Sequence, residues 1–284
     1  MEQIRERRRI SVVKEGEMLL RQSFSLLVAD KRKLTIMFAF PMVAALITVW
    51  IAGKNMFVHY DGTKSASFVL VSAAIWGGLF NSIQMIVKER ANVKRDYLSG
   101  MRIGLYMAAK GLTQLLLCAF QSAVLLLAIG GISLVYGNEL PQNGVVIHNL
   151  FLEYYVSFFL IMYCADTMGL CISAYVKKPE TASVLAPYIL IVQLIFSGIL
   201  FSMKGAADIV SYFMISRWGM EALGSTARLN EIPLSYSGMP HEAERMYEAT
   251  AGHLGVIWLV LLMAAIGFLI AGTLLLRNVA KDKR

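Results

Sequence analysis

Residues 254–276 read LGVIWLVLLMAAIGFLIAGTLLL, which is 23 consecutive residues without a charge. A helix that crosses a bilayer needs about 20 apolar residues, because the hydrocarbon core is about 30 Å thick and each residue rises about 1.5 Å. Four further charge-free runs are as long. There are 20 residues between Lys33 and Lys54, 23 between Lys64 and Lys88, 28 between Lys110 and Glu139, and 23 between Glu180 and Lys204. A sixth run, about residues 154–176, is interrupted only by Asp166. The pattern predicts an all-α membrane protein with six transmembrane helices. Composition agrees: the 284 residues are 57% hydrophobic and 16% charged, against about 45–50% and about 25% in soluble domains. Mean hydropathy is +0.59.

The formal net charge is +8, and its distribution sets the topology. If both termini are cytoplasmic, the inside segments hold 21 of the 27 Lys and Arg residues. The other six, Lys54, Lys64, Lys204, Arg217, Arg228 and Arg245, lie outside. That skew follows the positive-inside rule and attraction to anionic lipid. It argues against nucleic acid, for which no recognition motif accompanies the charge. The polar, basic first 33 residues predict that the first apolar run is an uncleaved span. Cys118, Cys164 and Cys171 fall within predicted spans, so no external disulfide is expected. With no Asn-x-Ser/Thr sequon present, these features suit a bacterial inner (plasma) membrane.

Residues 1–13 read as a basic cytoplasmic tail. Over 14–31, Leu19, Leu20, Phe24, Leu27 and Val28 recur at helical spacing among charges, which predicts an amphipathic helix along the inner membrane surface. Span 1 follows Lys31, Arg32 and Lys33 and carries Pro41, which a helix bundle tolerates. Asp61 and Gly62 are assigned to a short outside loop before span 2, about residues 67–87. The charged stretch 88–102 predicts a short surface helix and turn. Span 3 covers about 103–136, long enough to tilt or project. Span 4 ends near Tyr175, and Lys177-Lys178-Pro179-Glu180 is a tight inside turn. Residues 204–252 form the longest polar stretch, with helical character over 208–229 and breaks at Pro233, Gly238 and Pro240. A basic tail, 277–284, closes the chain. Residues 14–284 read as one domain without internal repeats.

Catalytic chemistry is not expected. There is no metal-ligand spacing, and His59, His148, His241 and His253 fall in outside loops or at span ends. No Gly-x-x-x-x-Gly-Lys-Ser/Thr phosphate loop occurs, so no ATP site is expected on this chain. No Gly-x-Ser-x-Gly elbow occurs either. Asp166 is the one carboxylate deep within a span. An intramembrane charge is costly and faces the bundle interior or water, so Asp166 reads either as a polar point on a transport path or as an interhelical hydrogen-bond partner. Gln84, Gln114, Gln121 and Gln193 read as packing contacts. Gly77-Gly78, Gly130-Gly131 and Gly198 are expected to permit close helix approach. The stretch 88–102 reads either as a solvated basic loop or as a rigid elbow that receives force from a cytoplasmic partner.

At that stretch the sequence resembles a known family. Val87-Lys88-Glu89-Arg90, Arg95-Asp96-Tyr97 and Arg102-x-x-x-Tyr106-x-x-x-Lys110 resemble the first cytoplasmic loop of G-subfamily (White, type V) ABC exporters and of the bacterial type-2 permeases. Ile195-Phe196-Ser197-Gly198-Ile199-Leu200 is similar to the gate region of that family. Ile215-Ser216-Arg217-Trp218-Gly219-Met220-Glu221-Ala222-Leu223 is similar to its external re-entrant segment, and 14–31 to its connecting helix. The resemblance implies two six-span units driven by two ABC ATPases that bind ATP and Mg. It implies coupling to the ATPase through Lys88, Glu89, Arg90, Lys94, Arg95 and Asp96, and a gate at Ile199 and Leu200. It implies a cavity lined by Gly77, Phe80, Ile191 and Leu194, with Asp166 and Gln193 as intramembrane polar residues.

Some features of the family do not carry over. Drug-exporting members place an aromatic residue near Gly77, and cargo stacking there is not carried over. The re-entrant proline of the family is Ser216 here. About 13 residues precede the connecting helix, so the resemblance implies an ATPase on a separate chain.

The function expected is that of an exporter permease that moves a hydrophobic or amphiphilic substrate, paired with a second permease copy or homologue. Two alternatives stay open. One is an ATP-independent membrane scaffold or immunity protein. The other is an ion-coupled secondary transporter with Asp166 as its carrier site.

Overall fold

The computed structural model describes residues 11–201, 203–234 and 242–281. The tail 1–10, the predicted breaks at Gly238 and Pro240, His241 and the last three residues lie outside the described residues. Within them the chain forms ten α-helices, three short 3-10 turns and no strand. Ser11 opens α1 (Val12–Ala29) by accepting a bond from Lys14 N at 3.3 Å. α2 (Lys31–Ala52) runs through Pro41. α3 (Tyr60–Ser82) stops at a break over Ile83 and Gln84, and α4 (Met85–Leu98) follows. α5 (Ile103–Tyr136) has 34 residues, about 51 Å at 1.5 Å per residue, and ends where Gly137 takes a left-handed φ of 69°. Asn149 caps α6 (Leu150–Tyr175), and α7 (Pro179–Ile195) begins on a proline. Short α8 (Ala206–Ser211) and α9 (Ile215–Thr226) precede α10 (Ala251–Leu276), which Thr250 caps.

Five of these helices are long and apolar enough to cross a membrane, those containing α2, α3, α5, α6 and α10. The sixth predicted span, α7, is apolar but has only 17 residues. Two boundaries differ from the hydropathy reading. Asp61 and Gly62 lie in the first turn of α3, not in a loop; an acidic residue suits that end of a helix dipole. Span 2 also ends before the charges begin, because Ser173 captures the amides that start α4.

α3 and α6 form the buried centre, while α2 and α10 are mostly exposed. Lipid tails are as apolar as leucine, so helices associate in a membrane through close packing and polar links. The α3–α6 contact shows both. A Cβ on Gly78 would strike the Met162 carbonyl oxygen, and one on Gly169 would strike Ser82 Oγ. Ser82 Oγ donates to Asp166 O at 2.6 Å across the same seam. Gly131 approaches only side-chain atoms of Val49, and Gly77 only Met162 Cε and Phe40. Of the glycine pairs expected to bring helices together, Gly78 meets backbone. Gly169 does so too and had no sequence signal beyond its residue type.

At one end of the bundle, α9 sits between α3, α6 and α10. At the other, α1 and α4 pack across the start of α5 and the ends of α6 and α10.

Candidate functional site

The charged stretch folds as α4, and its two faces differ. The Ser173 hydroxyl accepts bonds from Ile86 N and Val87 N, both at 3.0 Å, which satisfies amides that lack partners within the helix. Arg90 Nη1 donates to Ala174 O at 2.8 Å and Val176 O at 3.0 Å, capping the end of α6. Gln84 donates to the Ser183 hydroxyl of α7. Glu89 pairs with Lys110 Nζ at 2.8 Å and accepts from the Tyr106 hydroxyl at 3.1 Å. Ile86 and Val93 complete this face against Ile103, Met107, Leu170 and Leu276.

Lys88, Asn92 and Arg95 remain exposed on the other face, with Lys94 and Asp96 half-buried. Arg95 Nε donates to Asp96 Oδ1 at 3.3 Å. The resemblance puts Glu89 and Arg90 in contact with an ATPase, but both turn toward the bundle. The reason is electrostatic. Lys110 is 3% exposed, and a buried ammonium ion requires a nearby counter-charge.

Arg102, Tyr106 and Lys110 are spaced by four residues and share one face of α5. Tyr106 and Lys110 hold α4 through Glu89. Arg102 holds α1, since its backbone amide donates to Glu15 Oε1 at 2.7 Å and its guanidinium lies 3.7 Å from Glu15 Oε2. One stripe of α5 therefore ties both surface helices to the bundle.

The predicted gate lies in the turns after α7. Gly198 adopts φ 82°, a conformation that favours a residue without Cβ. Ile199 is half-buried and Leu200 is exposed. Ile199 lines a cavity of about 490 Å³ with Lys64, Arg217, Glu244 and Met246. Lys64 pairs with Glu244 at 2.8 Å, and Tyr60 also donates to Glu244. Arg217 pairs with Asp208 at 2.5 Å and Glu221 at 3.1 Å. Burial raises the Glu221 carboxyl above the usual range against the pull of Arg217. Gln193 caps α9: its side-chain oxygen accepts from Ser216 N at 3.0 Å, and its carbonyl accepts from the Ser216 hydroxyl. A proline at 216 has no amide proton and could not make the first of these bonds.

The four predicted cavity residues divide. Gly77 and Phe80 line a cleft of about 500 Å³ between α2 and α3, together with Ile36, Phe40 and Trp76. Ile191, exposed, and Leu194, half-buried, lie on α7 and do not line it. Phe40 and Trp76 stack with centroids 6.4 Å apart and planes within 14°. Trp76 and Phe80 are 5.5 Å apart. Cargo stacking at Gly77 was not carried over from the family, yet aromatic rings flank that position. Trp76 is adjacent in sequence; Phe40 joins it only through the packing of α2 on α3.

Asp166 is fully buried. Gln114 Nε2 donates to its Oδ1 and Cys118 Sγ to its Oδ2, both at 3.3 Å. Alongside, Asn81 Nδ2 donates to Gln121 Oε1 at 2.6 Å, and Gln121 Nε2 donates to Met37 O at 2.7 Å. These links join α2, α3, α5 and α6, and no ion pair involves Asp166 among the described residues. Asp166→Leu is expected to strand two buried donors at about 1–3 kcal/mol, while Asp166→Asn retains an acceptor oxygen and costs less. Thermal unfolding of the two purified variants in detergent checks the order. Equal midpoints would remove the hydrogen-bonding role. No group of three or more metal-ligating side chains occurs among the described residues.

An apolar bundle with several membrane-crossing helices and a clamped surface elbow defines a multi-pass membrane protein of the permease type. The chain belongs to the ABC-2 type transporter family, whose sequence profile matches residues 16–226. It is also similar to the ABC transporter ATP-binding/permease protein Rv1747 of Mycobacterium tuberculosis, at 24% identity over 228 residues. That match covers 77% of this chain and 26% of the relative, so the chain spans about a quarter of that protein's length. The matched domain is a permease component and is not itself catalytic.

Proposed function

We propose that this chain is the permease unit of an ABC exporter. ATP, with Mg, is hydrolysed by an ABC ATPase, and a hydrophobic or amphiphilic substrate leaves across the inner membrane. In this reading α7 is the sixth span, extended by the turns that follow it, and both termini are cytoplasmic. Residues 14–31 form the connecting helix, 88–102 the coupling segment and 204–252 the external re-entrant region. Two six-span units face each other across the exposed faces of α3 and α7, and Ile191 and Leu194 complete the chamber from α7. Ile199 and Leu200 form its gate.

The observation that carries the reading is the clamping of α4. Its inner face is bonded to α5 and α6 through Glu89 and Arg90, while Lys88 and Arg95 stay exposed. A push on that outer face moves α4, the start of α5 and the end of α6 as one body, which suits alternating access by rigid-body rocking. Glu89 and Arg90 then act as the attachment, and Lys88, Lys94, Arg95 and Asp96 as the contact. The name of the mycobacterial relative, which joins ATP-binding and permease functions, agrees with an ATPase partner.

The test is to tag the full-length gene product in its native host, purify it in mild detergent and identify what accompanies it. A Walker A ATPase, present stoichiometrically as a second protein or within the same gene product, is expected. Its absence from repeated intact preparations would overturn the reading in favour of a scaffold.

A further inference from the structure

The cleft between α2 and α3 is aromatic along its length and cationic at one end. Its walls are Phe40, Trp76 and Phe80 with Ile36 and Gly77, and its end carries Arg32 and Lys88 against a single carboxylate, Asp30. In sequence Arg32 and Lys88 are far apart; the break at Ile83 and Gln84 brings the start of α4 to the start of α2. Arg32 and Phe40 are eight residues apart on one continuous helix, about 12 Å. That is close to the depth of one hydrocarbon leaflet, about half of 30 Å. The cleft therefore matches an amphiphile in both polarity and length.

We propose that it binds one anionic phospholipid from the adjoining leaflet, with the phosphate at Arg32 and Lys88 and an acyl chain along Phe40, Trp76 and Phe80. Guanidinium and ammonium groups bind phosphate oxygens by charge-assisted hydrogen bonds. The flat faces of Phe40 and Trp76, stacked within 14°, accept a chain without demanding a fixed shape. A net-positive end discriminates against zwitterionic headgroups. The functional meaning, an anionic amphiphile as the class of molecule admitted to the chamber, rests on the exporter reading. The binding does not, because it requires neither nucleotide nor partner.

Trp76 is a built-in reporter. A variant that keeps Trp76 and replaces Trp50, Trp218 and Trp258 with Phe is placed in phosphatidylcholine nanodiscs doped with brominated lipid. Brominated phosphatidylglycerol should quench Trp76 at a lower mole fraction than brominated phosphatidylcholine, with each cation contributing roughly fivefold. Arg32→Gln with Lys88→Gln should abolish the preference. A companion variant that keeps only Trp50, which is 77% exposed on α2, should show no preference. If the single-tryptophan protein does not fold, native mass spectrometry of wild type and the Gln double variant gives the same comparison through retained phosphatidylglycerol. Equal quenching by both lipids, no quenching, or a preference that survives the double variant would overturn the assignment. Because the measurement is made without ATP, a chain that binds the lipid but lacks an ATPase would overturn only the exporter reading.

Discussion

Glu89→Ala destabilises the chain and disconnects α4, and it does so more than Lys110→Met. The asymmetry follows from burial. Lys110 is 3% exposed and Glu89 29%. Removing the carboxylate strands an ammonium ion in an apolar surrounding, whereas removing the ammonium leaves a carboxylate that water and Tyr106 can still reach. Breaking a buried pair from one side costs about 3–5 kcal/mol, and replacing both partners is often neutral. Partial exposure of Glu89 lowers the expectation for Glu89→Ala to about 2–4 kcal/mol. Glu89→Gln combined with Lys110→Met should recover most of it. Thermal unfolding of the four purified proteins gives the coupling energy directly. Function has its own readout, the reaction of a cysteine placed at Ile199 with an external, membrane-impermeant maleimide. Cys118 and Cys164 are buried and Cys171 is partly so, which keeps the background low. Nucleotide should change that labelling in wild type and not in Glu89→Ala. If Glu89→Ala unfolds and responds like wild type, the pair is incidental and the clamp lies elsewhere.

Gly78→Ala should be the most damaging single methyl group in the bundle. Its Cβ would collide with the Met162 carbonyl and come within 3.0 Å of Asp166 N and 3.1 Å of Ala165 Cβ. Two of these neighbours are backbone of α6, which cannot rotate aside, so α3 must move away from α6. Overpacking costs about 1–3 kcal/mol where side chains can adjust, and this site should reach or exceed the upper end. Gly169→Ala attacks the same seam from the other helix, through Ser82 Oγ and Leu79 O. Gly255→Ala and Gly267→Ala are matched controls, with no atom within 4 Å of the new Cβ. Alanine also favours the helix over glycine by about 1 kcal/mol. Yield of folded protein and unfolding midpoint in detergent should separate the two pairs clearly. A Gly78→Ala protein as stable as Gly267→Ala would show that the α3–α6 contact is looser than described.

Several elements were legible in the sequence because they depend on local properties. α5 runs over the range expected for span 3, and α6 ends at Tyr175 as expected, since a charge-free run and a helix stop can be read along the chain. The amphipathic spacing from Leu19 to Val28 likewise lies within α1. Hydropathy misplaced the limits of α3 because partners distant in sequence set them: Ser173 ends the span early by capping α4. Gln193 read as a packing residue, and its cap on α9 needed the fold to bring 193 beside 216. Cargo stacking at Gly77 was not carried over, though Phe80 was already a cavity residue; what no periodicity could show is that Phe40 of another helix lies against Trp76.

By itself the sequence determined a helical membrane protein and the helices available to it. Long uncharged runs admit no other arrangement in hydrocarbon, where each backbone group must find its partner within its own helix or a closed barrel. Tertiary structure alone decided which face of each helix works. Glu89 turns inward because Lys110 is buried there, Gly78 matters because α6 backbone lies against it, and Arg32 meets Lys88 because α3 breaks before α4. A helix presents every side chain to some direction, and only its neighbours determine which direction is protein, lipid or cavity.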